Sequence, residues 1–253
     1  MTPTSDRSQN PHATATSRRK KGVTLIKVLV IVAILGLAIV FFLPVHRGAR
    51  EAARRNSCVN NLKQIALALH NYADVYHALP PAYTADADGK PLHSWRTLIL
   101  PYMEESQLYK TIDLSKPWDD PTNAKAFNTA ISGYQCPSDK LPANQTTYLA
   151  IVGPNSCLKP GEYRTFADIT DGTAKTLMVI EVSSDQAVPW MSPKDADVQA
   201  VMGFTPDSKL VHAGGCNAAF VDGSVRFLDA DLPAADRRAM ISIAGNDKVA
   251  EDD

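Results

Sequence analysis

The stretch KKGVTLIKVLVIVAILGLAIVFFLP (residues 20–44) decides how the rest of the chain can be arranged. Residues 28–43 hold no charge, and Lys27 is the single charged residue in the run that covers residues 23–43. A helix of about 20 apolar residues can cross a bilayer, and a helix on a protein core would show a polar stripe. We therefore predict a transmembrane helix over residues 23–43, whose Lys27 ammonium reaches the lipid headgroups. A cleaved secretory signal fits less well, because the run is long and no small-x-small cleavage site follows it.

The charges of the chain are distributed unevenly. The first 22 residues hold five basic side chains and one acidic side chain, a net charge of +4, whereas the whole chain has −1. The remainder therefore has −5, and a mildly acidic body argues against a nucleic-acid partner, which requires a basic surface. We predict that residues 1–22 form a disordered basic leader or cytoplasmic tail beside anionic lipid, and that residues 246–253 form an acidic tail.

A second helical pattern follows the apolar run over residues 44–78. Pro80 and Pro81 end this pattern, and Pro44 predicts a kink, because proline removes a backbone donor and clashes with the preceding turn. The expected fold is α+β: a long N-terminal helix packs its second half on the antiparallel sheet of a domain that covers residues 79–245. Apolar residues at steps of three and four give the stripe that would be buried there: Leu62, Ile65, Ala66, Leu69, Tyr72, Ala73 and Tyr76.

Two Asp-Gly pairs predict turns in the body. NAAFVDGSVRFL places Asp222 and Gly223 between two alternating runs, which predicts a tight β-hairpin, because Asp-Gly suits the positive φ angles of such a turn. Asp171-Gly172, ahead of the β-rich residues 176–182, is a second hairpin candidate. The backbone conformation of the turn thus explains the Asp222-Gly223 pair before any catalytic role is considered.

The residue types that carry chemistry predict no catalytic, cofactor or metal site. Motifs of hydrolases, zinc proteases and nucleotide-binding proteins are absent from the sequence. We expect His212 to be structural, with its ring on a loop carbonyl near the hairpin, because no acidic or histidine partner stands at metal-ligand spacing. Asp119 and Asp120 could hold calcium with backbone oxygens, although two adjacent acids usually form a solvated turn.

The four cysteines leave two alternatives open. They contain no C-x-x-C pair, so zinc or thioredoxin-like chemistry has no support in the sequence. An exported body could form two disulfides in three connectivities, whereas a cytosolic body would keep four buried thiols. The residues concerned are Cys58, Cys136, Cys157 and Cys216.

The stretch KKGVTLIKVLVIVAILGLAIVFFLPV resembles the start of type IV prepilins and of type II secretion pseudopilins. Those have a basic leader, a glycine at the cut and an apolar run that opens with Thr-Leu-Ile-Glu. The resemblance implies cleavage after Gly22 by a prepilin peptidase and methylation of the new terminus at Val23. Lys27 departs from the pattern, because it stands where the family has a glutamate. That glutamate neutralises the amino terminus of a neighbouring subunit, whereas a lysine would repel it. An uncut signal anchor is therefore the alternative to processing.

From residue 22 to about residue 243, the chain also resembles a bacterial family of unknown function. That family combines a prepilin-type start with a C-terminal His-x9-Asp-Gly motif, which here is His212, Asp222 and Gly223. The stretches NNLKQIALALHNY, YQCPSD and HAGGCNAAFVDGSVRFL carry the resemblance. The family has no established activity, so the resemblance implies a class of protein and no reaction.

These patterns together predict a membrane-anchored, pilin-like or pseudopilin-like protein of the bacterial envelope, acting in assembly, secretion or surface display and not as an enzyme. We expect a single-pass inner-membrane protein with a cytoplasmic N terminus and a periplasmic body. Its partners would be the lipid bilayer, a prepilin peptidase and other pilin-like subunits, without nucleic acid or cofactor. The alternative is a monomeric anchored module that captures polysaccharide or another ligand with loop aromatics such as Trp118 and Trp190.

Overall fold

The computed structural model describes residues 20–205 and 207–245, without the side chains of residues 20–23 and 40–49. The predicted acidic tail and most of the predicted leader lie outside these residues. The chain divides between Arg50 and Glu51 into two units.

Helix α1 (Lys20–Tyr76) is 57 residues long and contains both helical segments that the sequence predicts. The helix is continuous at Pro44, and the bend expected there stays a prediction. It ends at Tyr76, two residues before the predicted end, because the next residue, His77, has a φ of 59°. A residue in this left-handed conformation commonly ends a helix.

No helix in the described part of the chain combines the length and the hydropathy that a membrane crossing requires. The predicted transmembrane helix over residues 23–43 is therefore wrong, and so is the single-pass inner-membrane location that rests on it. The stretch of the apolar run with described side chains is residues 24–39, which includes Lys27. As a helix it is about 24 Å long, short of the roughly 30 Å of a hydrocarbon core.

The second unit is an α+β body with antiparallel sheets, which confirms that part of the predicted fold. The strands of the described residues are β1 (Tyr83–Ala85), β2 (Pro91–Ser94), β3 (Gln145–Thr146), β4 (Tyr148–Ala150), β5 (Leu177–Glu181), β6 (Val188–Pro189), β7 (Gly215–Phe220) and β8 (Val225–Asp229). The main sheet has four strands in the order β4-β5-β7-β8, and β1 with β2 and β3 with β6 form two further antiparallel pairs.

Short helices connect these strands. SWRTLILPYMEESQLYKTI is broken near Pro101 into two short α-helices with a 3₁₀ turn (Leu100–Tyr102) between them. Proline cannot supply the backbone donor that a continuous helix would need there. The five short α-helices of the described residues are α2 (Trp95–Leu98), α3 (Ser106–Tyr109), α4 (Ala124–Phe127), α5 (Val198–Met202) and α6 (Ala234–Ile241).

The buried stripe of α1 covers one face of the main sheet. It shares one apolar core with the sheet residues Tyr148, Val179 and Ala219. The predicted stripe is confirmed except at Tyr76, which is 56% exposed. The buried members are Leu62, Ile65, Ala66, Leu69, Tyr72 and Ala73.

A second apolar core covers the opposite face of the sheet. There, Leu149 and Ile180 pack with residues of α5 and α6 such as Val201 and Ile241. Every residue of β5 and β7 is consequently buried. A charged side chain in these strands therefore needs a partner inside the protein.

The hairpin predicted at Asp222-Gly223 is confirmed. Strands β7 and β8 pair antiparallel, and Gly223 has the positive φ, 85°, that the turn requires. The Asp222 carboxylate accepts hydrogen bonds from the N–H and the hydroxyl of Ser224 at 2.9 and 2.6 Å. The candidate at Asp171-Gly172 is wrong, because a 3₁₀ turn (Phe166–Asp168) and not a strand precedes it.

Candidate functional site

Two cysteines, a glutamate and a histidine meet inside the body. One potential ligand atom from each of Cys58, Cys136, Glu181 and His212 lies within 4.8 Å of the others, and all four residues are buried. They come from α1, from the loop before β3, from the end of β5 and from the segment before β7. The cluster is therefore assembled by the tertiary fold, and we consider it the candidate site.

The sequence places Cys58 on the buried stripe of α1, four residues before Leu62. It forms a disulfide with Cys136, and the Asn61 side chain, one turn on, donates to the Gln135 carbonyl at 2.8 Å. The disulfide closes a sequence separation of 78 residues, which corresponds to about 4.5 kcal/mol in the chain-entropy model. The pair thus ties α1 to the loop that follows the 3₁₀ turn at Ser132–Tyr134.

His212 lies between two carboxylates. Its Nε2 is 3.1 Å from Glu181 Oε2, and its Nδ1 is 3.7 Å from Glu51 Oε1. His212 Nε2 and Glu181 Oε2 lie within ion-pair distance, although their relative orientation gives no hydrogen bond. The ring therefore faces carboxylates, whereas the sequence predicted a loop carbonyl as its neighbour.

Glu181 is fully buried in the sheet. The strand register sets it opposite Tyr148, and the Asn217 amide donates to Glu181 Oε2 at 2.8 Å. Glu181 Oε1 and Asn217 Oδ1 have no hydrogen-bond partner among the described residues. A buried polar atom in that state costs free energy and calls for an explanation.

The Glu181 carboxylate changes the pKa of neighbouring groups. Burial raises the pKa of the Tyr148 phenol, and the Glu181 carboxylate raises it further. Burial also raises the pKa of Asp139, with Glu181 acting in the same direction, while the Ser184 hydrogen bond and His212 lower it. Glu181 therefore raises the pKa of both neighbouring groups, as a nearby negative charge does.

The two ends of the His-x9-Asp-Gly motif lie in different surroundings. His212 enters the buried cluster, whereas Asp222 is exposed and occupied with Ser224 in the hairpin turn. Beside the turn, His70 of α1 has its Nε2 2.7 Å from the Val221 carbonyl oxygen. The turn residues therefore order the backbone and do not extend the cluster.

The other cysteines do not join the disulfide. Cys157 and Cys216 are free and buried, and burial raises the pKa of the Cys157 thiol to about 12. The structure thus matches neither alternative in full, because it has one disulfide and two buried thiols.

The loop residues that the sequence singled out have structural contacts. Asp120 accepts from the N–H and the hydroxyl of Thr122 at the start of a 3₁₀ turn, and Asp119 is exposed. Trp190 is 1% exposed and donates its ring N–H to the Thr129 carbonyl. Trp118 is half-buried against Phe127. Trp190 therefore offers no face for a ligand to stack on.

The first part of α1 forms a second notable surface. Lys27 and all but one of residues 24–39 are exposed, and apart from the adjacent helix backbone, a Cβ built on Gly36 would have no described heavy atom within 4 Å. Gly22 and Val23, the predicted processing residues, lie in the same helix with undescribed side chains. Its large apolar side chains are between 51% and 72% exposed: Leu25, Ile26, Val28, Leu29, Val30, Ile31, Val32, Ile34, Leu35, Leu37 and Ile39.

Glu181 is the site residue that the sequence reasoning missed. One signal was available, since Glu181 is the only charged residue within the apolar run of residues 177–182. A carboxylate at that place in a buried strand requires a partner. The partner itself, His212, is not deducible from the spacing of the two residues.

Residues 47–155 match the model of a bacterial family described as a protein of unknown function (DUF1559). The matched range includes both disulfide cysteines and ends before Glu181 and His212. No curated protein matches the chain, and no solved structure does.

Proposed function

We propose that the protein is a pilin-like subunit that assembles with other pilin-like subunits through residues 24–39 of α1, and that it is not an enzyme. The observation that carries this proposal is the contrast between the two parts of one helix. The second part buries a stripe against the sheet of the body, whereas the first part exposes apolar side chains. A helix that is apolar all round belongs in an environment that covers it on every side.

The free energy available from covering this segment is large. Eleven big apolar side chains are at least half exposed between residues 25 and 39. Each would contribute roughly 1 kcal/mol on burial, so the segment as a whole contributes on the order of 10 kcal/mol. This amount can offset the loss of freedom when subunits associate.

Helices of other subunits are the covering that fits best. A bundle of helices surrounds each member, which a single flat surface cannot do. Gly36 and the exposed Ala33 lie three residues apart, on the same side of the helix. Small residues at such a contact permit a short distance between helix axes.

Lys27 favours a mixed assembly over a filament of this chain alone. It is exposed within the apolar segment, and copies of the chain would bring ammonium groups together away from water, which costs free energy. Cleavage after Gly22, which we include in the proposal, would add the amino group of Val23 four residues away, a second like charge on the same face. A neighbouring subunit with the prepilin glutamate at this position would neutralise one of these two charges, and two such neighbours would neutralise both. The chain would thus be a minor subunit.

Cysteine cross-linking in the native host tests the proposal. We expect Leu29→Cys or Leu35→Cys to give discrete adducts with pilin-like proteins, because both side chains are exposed in the assembling segment. Lys63→Cys is the matched control, an exposed position of α1 within the body, and should give few adducts. Mass spectrometry of the same samples identifies the partners and the N-terminal residue. Monomers from all three variants would contradict assembly and favour a lone ligand-binding module.

A further inference from the structure

We propose that Cys58, Cys136, Glu181 and His212 form a redox-gated binding site for a zinc-like divalent cation. In the disulfide form the two sulfurs are bonded to each other. In the dithiol form they become two ligands of a four-coordinate site. The inference is independent of the assembly of α1.

The geometry suits tetrahedral coordination. The four ligand atoms already lie within 4.8 Å of one another. Around zinc, with metal–ligand distances of about 2.0–2.3 Å, neighbouring ligand atoms are about 3.3–3.8 Å apart. Side-chain shifts of about 1 Å, together with separation of the two sulfurs after reduction, would complete the site.

The donor set suits zinc as well. Two thiolates, an imidazole and a carboxylate are the ligand types that zinc takes in proteins. The two thiolates and the carboxylate have three negative charges, so they neutralise the two positive charges of the ion and leave the site with a net charge of −1. The unpartnered Oε1 of buried Glu181 would gain a partner, which accounts for an atom that is otherwise costly.

The surroundings also resemble those of a metal site. Nε2 of His212 faces Glu181, and Nδ1 faces Glu51 at 3.7 Å. A ligating histidine commonly has its other ring nitrogen directed at a carboxylate, which fixes its orientation. Asn217 holds the Glu181 carboxylate at 2.8 Å. Glu51 and Asn217 are therefore the positioning residues of the site.

The redox step balances with a dithiol as the reductant. Two electrons and two protons from the dithiol convert the Cys58–Cys136 disulfide into two thiols, and the reductant becomes a disulfide. Binding of one Zn²⁺ then releases the two thiol protons to solvent, because the metal ligands are thiolates. A disulfide oxidant reverses the sequence and expels the ion. The loop at Cys136 stays tied to α1 in both states, by a covalent bond or by the metal.

Cobalt titration of the full-length chain tests the inference. After reduction with a dithiol, we expect one Co²⁺ per chain with the visible absorption of a thiolate-bound tetrahedral ion, displaced by Zn²⁺. The oxidised chain should show no such band. Glu51→Gln should weaken binding about 10- to 100-fold, as loss of a positioning carboxylate does, and Cys157→Ser should leave it unchanged.

Thermal unfolding gives a second readout. Zn²⁺ should raise the Tm of the reduced chain and not that of the oxidised chain, because only the dithiol form binds the ion. Absence of a cobalt band in a reduced chain that keeps its circular dichroism would overturn the inference. Uptake retained in a Cys58→Ser, Cys136→Ser double variant, or equal uptake by the oxidised chain, would overturn it too.

Discussion

Asp139 is a residue whose charge the folded protein disfavours. Burial raises the pKa of its carboxyl above the ordinary 3.8. The charged form is thus penalised in the folded state. The stabilising contribution of Asp139 to folding is therefore complete only below pH 3.8, and it is lost as pH rises through the raised pKa. At neutral pH the carboxylate is a net cost.

We therefore expect Asp139→Asn to stabilise the protein at pH 7. The gain should stay below about 1 kcal/mol, because the side chain is only partly buried, and it should vanish near pH 3, where Asp139 is protonated in both states. Urea unfolding at the two pH values measures it, with exposed Asp119→Asn as the control. A loss of stability at pH 7, or an equal gain at both pH values, would show that the penalty is not electrostatic.

The partners of single buried polar residues could not be predicted from the sequence. That Glu181 needs a partner follows from its place in an apolar strand, but that the partner is His212 depends on how strands and loops meet. Arg96 shows the same limit: it is fully buried and pairs with Asp195, 99 residues away. Nothing within SWRTLILPY distinguishes it from an exposed arginine. Long-range polar pairs are outcomes of the fold and leave no local pattern.

At the scale of elements, the β7–β8 hairpin depends on the backbone of its turn. Gly223 has a φ of 85°, and a Cβ there would meet His70 Nε2 at an ordinary 3.8 Å. Gly223→Val should thus cost about 1–2 kcal/mol through backbone strain alone, and Gly223→Asn clearly less, since asparagine tolerates this conformation. Urea unfolding of both variants measures the difference. Equal losses would show that side-chain space, and not φ, limits the position.

The elements that could be predicted are those with a local signal. The stripe of α1 and the Asp-Gly turn each follow from residues close together in the sequence. The pairing of β5 with both β4 and β7 does not, and Asp171-Gly172 shows that a turn signal without two flanking strands misleads. The apolar run of α1 was predicted as a helix correctly and as a membrane span wrongly, because residue type alone does not determine what covers a helix.

At the scale of the whole molecule, the two parts of α1 have different surfaces. Its second part is a component of the body, held by the sheet and by the Cys58–Cys136 disulfide. Its first part exposes apolar side chains on which the proposed assembly depends. The proposed assembly therefore depends on the association of residues 24–39 and on the charge at Lys27.

Sedimentation velocity of the full-length chain mixed with its own Lys27→Glu variant tests this claim most directly. We predict that the mixture forms a discrete species larger than either protein forms alone, because opposite charges then face each other within the apolar segment. Leu29→Glu with Leu35→Glu in both partners should abolish that species, and Lys63→Glu should not. A mixture that sediments as the sum of its two separate components would contradict the account.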